Sequence, residues 1–176
     1  GGWSLGGVVA YEMARQLMER GEEVPLLILL DTVAPDFVRE LRGVEDDVSL
    51  LAILAQEMGL PVTDSNLRPL EAEEQLRFVA EQMEKAHIIF DDSLAYVKRT
   101  LAILRARVNV MNNYHPKPYW GRIIFFSAGD MDVDADDKKR ASALIEDPTR
   151  GFRKLSTGSL ELYTIPDAHN KIARGE

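Results

Sequence analysis

The chain opens on Gly1-Gly2-Trp3-Ser4-Leu5-Gly6-Gly7, and this stretch decides how the rest of the sequence is interpreted. Its middle five residues follow the pattern G-x-S-x-G. That pattern is typical of a sharp turn from a strand into a helix, which holds a serine in a strained conformation and exposes its hydroxyl. We expect the flanking glycines to be required, because the turn brings strand and helix too close for a Cβ atom. The pattern also arises by chance in glycine-rich turns, so the remaining residues have to decide between the two interpretations.

The composition excludes several classes of protein. The 176 residues suit one domain or most of one. A net charge of −8 provides no basic surface for nucleic acid or anionic lipid, and no stretch is long enough to span a membrane. The absence of cysteine excludes disulfides and a thiol nucleophile and fits a reducing compartment, so we expect a cytoplasmic protein.

A helix and a strand are predicted directly after the serine. Apolar residues recur every three or four positions from Leu5 to Arg20, and Gly21 stands where a helix C-terminal cap belongs. Residues 24–30 form a continuous apolar run, which predicts a strand buried on both faces of a parallel sheet. Asp31 follows this run, at the strand end where open α/β sheets bind their ligands.

The G-x-S-x-G pattern requires a strand immediately before it, and the sequence offers none ahead of the turn. We therefore expect the chain to be the C-terminal part of a domain whose upstream strands are missing. On its own such a piece would expose a sheet edge and lack half of an oxyanion hole, so we expect it to be inactive and prone to aggregation.

Residues 36–113 are predicted to be helical, without strands. Three amphipathic stripes support this prediction. They are formed by Val48, Leu51, Leu54 and Met58; by Leu76, Val79, Met83, Ala86 and Phe90; and by Leu94, Val97, Leu101, Leu104, Val108 and Met111. Because the insertion follows Asp31 at the functional edge of the sheet, we favour a lid. A separate helical domain, or helices packed on the sheet face, are the alternatives.

Strands resume after the insertion. Residues 123–126 predict a buried strand that leads to Asp130, residues 138–145 predict a helix, and residues 160–165 predict a last strand that leads to His169. The order of elements is that of the second half of a doubly wound sheet in a single domain over 1–176.

Four aspartates follow Asp130: Asp132, Asp134 and Asp136 alternate with other residues, and Asp137 follows directly. They invite a calcium interpretation, but the glycine and the terminal glutamate of an EF-hand loop are missing at the required offsets. Acidic residues ahead of a helix are the favoured explanation, and we predict no metal.

Ser4, an acid and His169 all fall at the carboxyl edge of the predicted sheet, in the chain order serine, acid, histidine that marks α/β-hydrolases. The histidine would accept the serine proton, and Asp31, or alternatively Asp130, would hold the imidazole in the right tautomer. The N–H of Leu5 would supply half of the oxyanion hole. Only His169 follows a final strand; His87 is predicted inside a lid helix and His115 before Pro116, where a structural or surface role is favoured.

The residues that follow the serine carry a more specific resemblance. G-W-S-L-G-G-V-V-A-Y-E-M-A-R-Q-L at 2–17, Gly21-Glu22, L-L-D-T at 29–32 and Ala34-Pro35 resemble thioesterase domains of non-ribosomal peptide synthetases and polyketide synthases. Y-H-P-K-P-Y-W-G-R-I at 114–123 resembles that family's approach to its penultimate catalytic-edge strand. The match is dense over 1–35, fair over 114–130 and thin in the insertion.

This resemblance implies an α/β-hydrolase fold with a mostly parallel sheet and a helical lid at 36–113. In carrier-linked terminal thioesterases the acid maps to Asp31, and in stand-alone editing thioesterases it maps to Asp130; the L-L-D-T context favours Asp31. The family usually has glycine two residues before the histidine and an aromatic residue after it, where this chain has Asp167 and Asn170.

The resemblance also implies an activity. Ser4 would release an acyl or peptidyl chain from the phosphopantetheine arm of a carrier-protein partner, through an acyl-enzyme, by hydrolysis or cyclisation, with no cofactor bound by this domain. A generic serine esterase or lipase is one alternative, and a non-catalytic hydrolase-fold module that binds a partner is another. Antibiotic biosynthesis is the setting in which such domains are expected.

Overall fold

The computed structural model of the chain describes residues 1–41, 46–88, 91–130 and 138–168. In chain order the elements are β1 (Gly2–Trp3), α1 (Leu5–Glu19), β2 (Leu27–Leu30), α2 (Pro35–Leu41), α3 (Asp47–Glu57), α4 (Asp64–Leu67), α5 (Ala72–Lys85), α6 (Ser93–Asn113), β3 (Ile123–Asp130), α7 (Lys138–Glu146), α8 (Phe152–Leu155) and β4 (Leu160–Ala168). The chain divides into a first unit, Gly1–Arg42 with Met111–Glu176, and a second unit, Gly43–Val110.

The first unit contains a four-stranded sheet in the order β1-β2-β3-β4, with every neighbouring pair parallel. Helices connect the successive strands, as parallel pairing requires. The predicted parallel α/β sheet is therefore confirmed. One expectation is wrong: a short strand does precede the serine, because Gly2 and Trp3 pair with Leu29 and Leu30.

The core of the first unit lies against one face of this sheet. It is formed by Tyr11, Ala14, Leu27, Leu29, Ala34, Phe37, Tyr119, Ile123, Phe125, Leu144, Phe152 and Leu155. Side chains alternate between the two faces of a strand, so Leu27 and Leu29 enter this core while Ile28 between them is 36% exposed. The prediction that residues 24–30 are buried on both faces is therefore wrong.

Helix α1 ends as the sequence predicts. Gly21 adopts the left-handed conformation (φ 83°), and its N–H donates to the carbonyl of Met18 at 3.0 Å. The N–H of Glu22 donates to the carbonyl of Leu17 at 3.0 Å, which completes a pattern that satisfies carbonyls left open at a helix end.

The second unit is helical and has its own core. Its buried side chains are Leu50, Leu51, Leu54, Ala55, Leu60, Val62, Leu67, Val79, Ala80, Met83, Val97, Leu101 and Leu104. The three predicted stripes correspond to α3, α5 and α6, but α5 ends at Lys85, before Ala86, and Phe90 lies outside the described residues. The sequence did not predict the short helix α4. No helix among the described residues is long and apolar enough to cross a membrane.

Candidate active site

Ser4 lies in a strained turn between β1 and α1. Its backbone angles, φ 51° and ψ −128°, are outside the regions that L-residues usually occupy, which costs about 1–3 kcal/mol. The Ser4 N–H donates to the carbonyl of Leu30 at 3.0 Å, and the Ser4 carbonyl accepts from the N–H of Gly7 at 3.0 Å. Sheet pairing on one side and the helix on the other thus hold the residue in this conformation.

Two glycines allow the turn to be this tight. A Cβ atom on Gly2 would collide with the backbone of Gly6, and one on Gly7 would collide with the side chain of Thr32. A Cβ atom on Gly6 would meet nothing within 4 Å among the described residues, apart from its chain neighbours and the nearby backbone of its own helix. The expected need for glycine is therefore confirmed at Gly2 and wrong at Gly6. Gly7 is required for a different reason, because α1 passes close to Thr32 just after the end of β2.

The amino terminus of α1 is directed at the serine. Leu5 is the first helical residue, and the first N–H groups of a helix have no intrahelical acceptor. The first turn of α1 contains no acidic side chain, so the positive end of the helix dipole is not neutralised there. The backbone at Leu5 can therefore stabilise negative charge that develops next to Ser4.

Asp31 lies beside Ser4 at the carboxyl edge of the sheet. Trp3 and Leu30 are register partners at the ends of β1 and β2, so Ser4 and Asp31 are the residues that directly follow these two neighbouring strands. Asp31 is fully buried and has a positive φ of 44°, and its N–H donates to the carbonyl of Phe126 at 2.7 Å.

A backbone N–H and a guanidinium are among the groups that hold the Asp31 carboxylate. Its Oδ1 accepts a hydrogen bond from the N–H of Ala128 at 2.7 Å. The same oxygen forms an ion pair with Nη2 of Arg150 at 2.5 Å. Sequence reasoning missed Arg150 entirely. The Asp-Pro-Thr-Arg-Gly sequence at 147–151 signals a turn, but nothing in it identifies a partner that is distant in the chain.

The alternative acid lies farther along the same edge. Asp130 is the last residue of β3, and its register partner is Ala168, the last residue of β4. His169 follows Ala168 and lies outside the described residues, as do Asn170 and the aspartates at 132, 134, 136 and 137. Within the described part of the chain, no group of acidic and histidine side chains could hold a metal ion.

The other two histidines are on the surface. His115 is exposed, with its Nδ1 3.0 Å from Nη2 of Arg39. His87 is exposed and lies just past α5, in the left-handed conformation (φ 56°), so its predicted position inside a helix is wrong.

The segment before β3 holds α1 in place. The hydroxyl of Tyr11 donates to the carbonyl of Lys117 at 2.7 Å, and the hydroxyl of Tyr114 donates to Oε2 of Glu12 at 2.5 Å. Hydrogen bonds from Arg15, assisted by those from Tyr114 and Gln16, lower the pKa of Glu12 to about 2. Burial raises the pKa of Tyr11 and of Tyr114, so both remain neutral donors.

A parallel sheet with connecting helices and a strained serine turn at its carboxyl edge defines a fold of the α/β-hydrolase type. The family described as thioesterase domain matches residues 1–175, and the chain therefore belongs to that family. The predicted class, a thioesterase domain like those of non-ribosomal peptide and polyketide synthases, is thereby confirmed.

Two relatives and one solved structure illustrate the similarity. A dimodular nonribosomal peptide synthase of Bacillus subtilis (strain 168) is 30% identical over 125 residues, which cover 71% of this chain and 5% of the relative. The non-reducing polyketide synthase PKS16 of Cladonia grayi is 60% identical over 35 residues, covering 20% of this chain and 2% of the relative. Holo-AB3403, a four-domain nonribosomal peptide synthetase bound to AMP and glycine, matches in fold with a TM-score of 0.78 and 24% identity, over 98% of this chain and 13% of that one. The chain thus spans a small fraction of each of these proteins.

Proposed function

We propose that the chain carries a serine thioesterase site with Ser4 as nucleophile, His169 as general base and Asp31 as the acid that orients the histidine. The observation that carries the proposal is the strained conformation of Ser4 at the amino terminus of α1, next in register to buried Asp31. Backbone strain persists only where the surrounding structure enforces it, and a nucleophilic serine is a reason for it.

The reaction begins when His169 accepts the proton of the Ser4 hydroxyl as Oγ attacks the thioester carbonyl carbon. The Leu5 N–H donates to the oxyanion that forms. When the carbon–sulfur bond breaks, the histidine returns the proton to the departing thiol and an acyl-Ser4 ester remains. A water molecule, or a hydroxyl or amine of the acyl chain itself, then attacks this ester, and Ser4 regains its proton.

The substrate we propose is an acyl or peptidyl chain on the phosphopantetheine arm of a carrier protein. The membership of the relatives in peptide and polyketide synthases supports this choice, since those proteins are named for assembling such chains. The helical insertion over 36–113 would act as a lid that controls the access of water to the acyl-enzyme. Water access would in turn bias the choice between hydrolysis and cyclisation. A cytoplasmic location, suggested by the absence of cysteine, belongs to the same proposal.

The proposal predicts that a fluorophosphonate probe labels Ser4 in the full-length polypeptide that carries this sequence. Ser4→Ala should abolish labelling and lower turnover of a carrier-bound acyl thioester by about 10³-fold or more, because the acyl-enzyme cannot form. Mass spectrometry of the labelled peptide and a free-thiol assay provide the two measurements.

The matched control is Ser159→Ala, which removes an exposed serine hydroxyl ahead of β4. This variant should label and turn over like the parent protein. Unchanged thioester turnover in Ser4→Ala would refute the proposal. Labelled protein that cleaves a simple oxyester faster than the carrier-bound thioester would favour a generic esterase, and unlabelled parent protein would favour a binding module.

A further inference from the structure

Arg150 forms a buried ion pair with Asp31 that the reaction described above does not explain. Arg150 Nη2 lies 2.5 Å from Asp31 Oδ1, and the two residues are 8% and 0% exposed. Removing one member of such a pair leaves the other charge buried without compensation, which proteins tolerate poorly. A cation next to the candidate acid therefore needs a reason in the function of the site.

A hydrogen-bonded turn fixes the position of Arg150. Its backbone is left-handed (φ 51°), and its N–H donates to the Asp147 carbonyl at 2.9 Å. The N–H of Gly151 donates to the Asp147 carboxylate at 2.9 Å. The Arg150 carbonyl accepts from the N–H of Ala34 at 2.9 Å, three residues after Asp31. Arg150 is thus bound through both its side chain and its backbone to the segment that begins at Asp31.

The guanidinium acts on the protonation and the orientation of Asp31. Burial lowers the pKa of Arg150, and the attraction of Asp31 opposes this effect, so the arginine remains a cation. A cation in contact favours the carboxylate form of Asp31. Because Arg150 and the Ala128 N–H both bind Oδ1, the carboxylate is held in one orientation. Arg150 Nε is buried without a hydrogen-bond partner among the described residues, and an unsatisfied buried donor lowers the free energy of unfolding.

We propose that Arg150 is a positioning residue that keeps the Asp31 carboxylate ionised and correctly oriented for the catalytic histidine. This inference rests on the proposed function, because it requires Asp31 to be the acid of the site. It also assigns Arg150 a second effect: its positive charge offsets the field of the carboxylate, so the histidine loses its proton at a lower pH than it would beside Asp31 alone.

The test compares Arg150→Met with Arg150→Lys in the full-length polypeptide. Arg150→Met should lower kcat about tenfold to a hundredfold with little change in KM, a smaller loss than removal of the acid itself. The acidic limb of its kcat profile should move to higher pH by about one unit, because the cation no longer opposes protonation of the aspartate–histidine pair. Arg150→Lys should recover most of kcat and of the pH profile.

The groups placed against Asp31 include the Arg150 guanidinium from the turn before α8 and the Ala128 N–H on β3, and Ser4 directly follows the neighbouring strand β1. The matched control is Arg153→Met, which removes an exposed arginine three residues away. It should leave both kcat and the pH profile unchanged.

A double variant separates this role from a purely structural one. If Arg150 acts through Asp31, then Arg150→Met should cause little further loss of kcat in an Asp31→Asn background, and the double variant should melt at a higher temperature than Arg150→Met alone. An unshifted acidic limb in folded Arg150→Met, or a full additive loss in the double variant, would overturn the inference. Failure of the proposed function looks different, since Ser4→Ala would then turn over thioester like the parent protein.

Discussion

At the scale of single residues, the two candidates Ser4 and Asp31 share an unusual backbone conformation. Ser4 and Asp31 both have positive φ, and each directly follows one of two neighbouring strands at the same edge of the sheet. Neither residue is a glycine, so each carries a local conformational cost that the surrounding hydrogen bonds must offset. Strain of this kind concentrates where a side chain has to be aimed.

The identity of the acid can be settled at this scale. We predict that Asp31→Asn lowers kcat/KM about 10³- to 10⁴-fold, because an amide cannot orient and stabilise the imidazolium. Asp130→Asn, the matched change at the end of β3, should keep kcat/KM within about tenfold of the parent value. Thioester turnover per folded molecule is the measurement, since Asp31→Asn also leaves Arg150 unpaired. The reverse order of effects would assign the role to Asp130.

At the scale of elements, α1 supports the serine turn, because the helix begins at Leu5, directly after Ser4. Tyr11 and Glu12, on adjacent positions of its second turn, bind the Lys117 carbonyl and the Tyr114 hydroxyl of the segment before β3. Arg15 is 7% exposed and donates to both carboxylate oxygens of Glu12, at 2.9 and 2.7 Å. The conspicuous sequence around Tyr114 is therefore explained, at least in part, by anchoring a helix.

This network predicts a pH-dependent contribution to stability. The pKa of Glu12 falls from 4.5 to about 2 on folding, so its stabilisation is complete above about pH 5 and is lost as pH falls through 2. The free energy of unfolding of Glu12→Gln should therefore lie on the order of 2 kcal/mol below the parent value at pH 7, with the gap closing towards pH 2.

Urea denaturation at a series of pH values, on full-length protein, measures this difference. Glu22→Gln is the control, because Glu22 is exposed just past the end of the same helix. A gap between parent and Glu12→Gln that stays constant from pH 7 to pH 2 would contradict an electrostatic origin.

At the scale of the whole molecule, the chain has two separate cores. The core of the first unit contains Leu29 on β2, and that of the second contains Met83 on α5. Both side chains are completely buried. The assignment of the second unit to a lid stays a prediction, and so does the boundary of 36–113; the compact helical unit spans Gly43–Val110, because α2 packs into the core of the first unit through Phe37.

Two cores predict local responses to core variants. Met83→Ala should destabilise the helices of the second unit by about 2–5 kcal/mol while the sheet keeps its protection, and Leu29→Ala should do the opposite. Hydrogen exchange resolved by peptide, for amides of α3 and α5 against those of β3, measures both effects. Equal loss of protection in both units for either variant would indicate a single cooperative core.

Much of this organisation could be predicted from the sequence. The helix after Ser4, its end at Gly21, the parallel strands and the helical insertion all follow from apolar periodicity and turn residues, which are local signals. Asp31 could be placed at the functional edge because it ends an apolar run. Burial of only one face of β2 could not be predicted, since an apolar run does not show which face the helices cover.

The sequence by itself determined the class of fold, the order of its elements and the candidates Ser4, Asp31 and His169, because each depends on residues close together in the chain. The tertiary structure decided which glycines are sterically required and which cation contacts the acid. Gly7 is crowded by Thr32, and Asp31 is paired with Arg150, 119 positions further along the chain. Such contacts depend on how strands and turns distant in sequence pack together, and no local pattern encodes them.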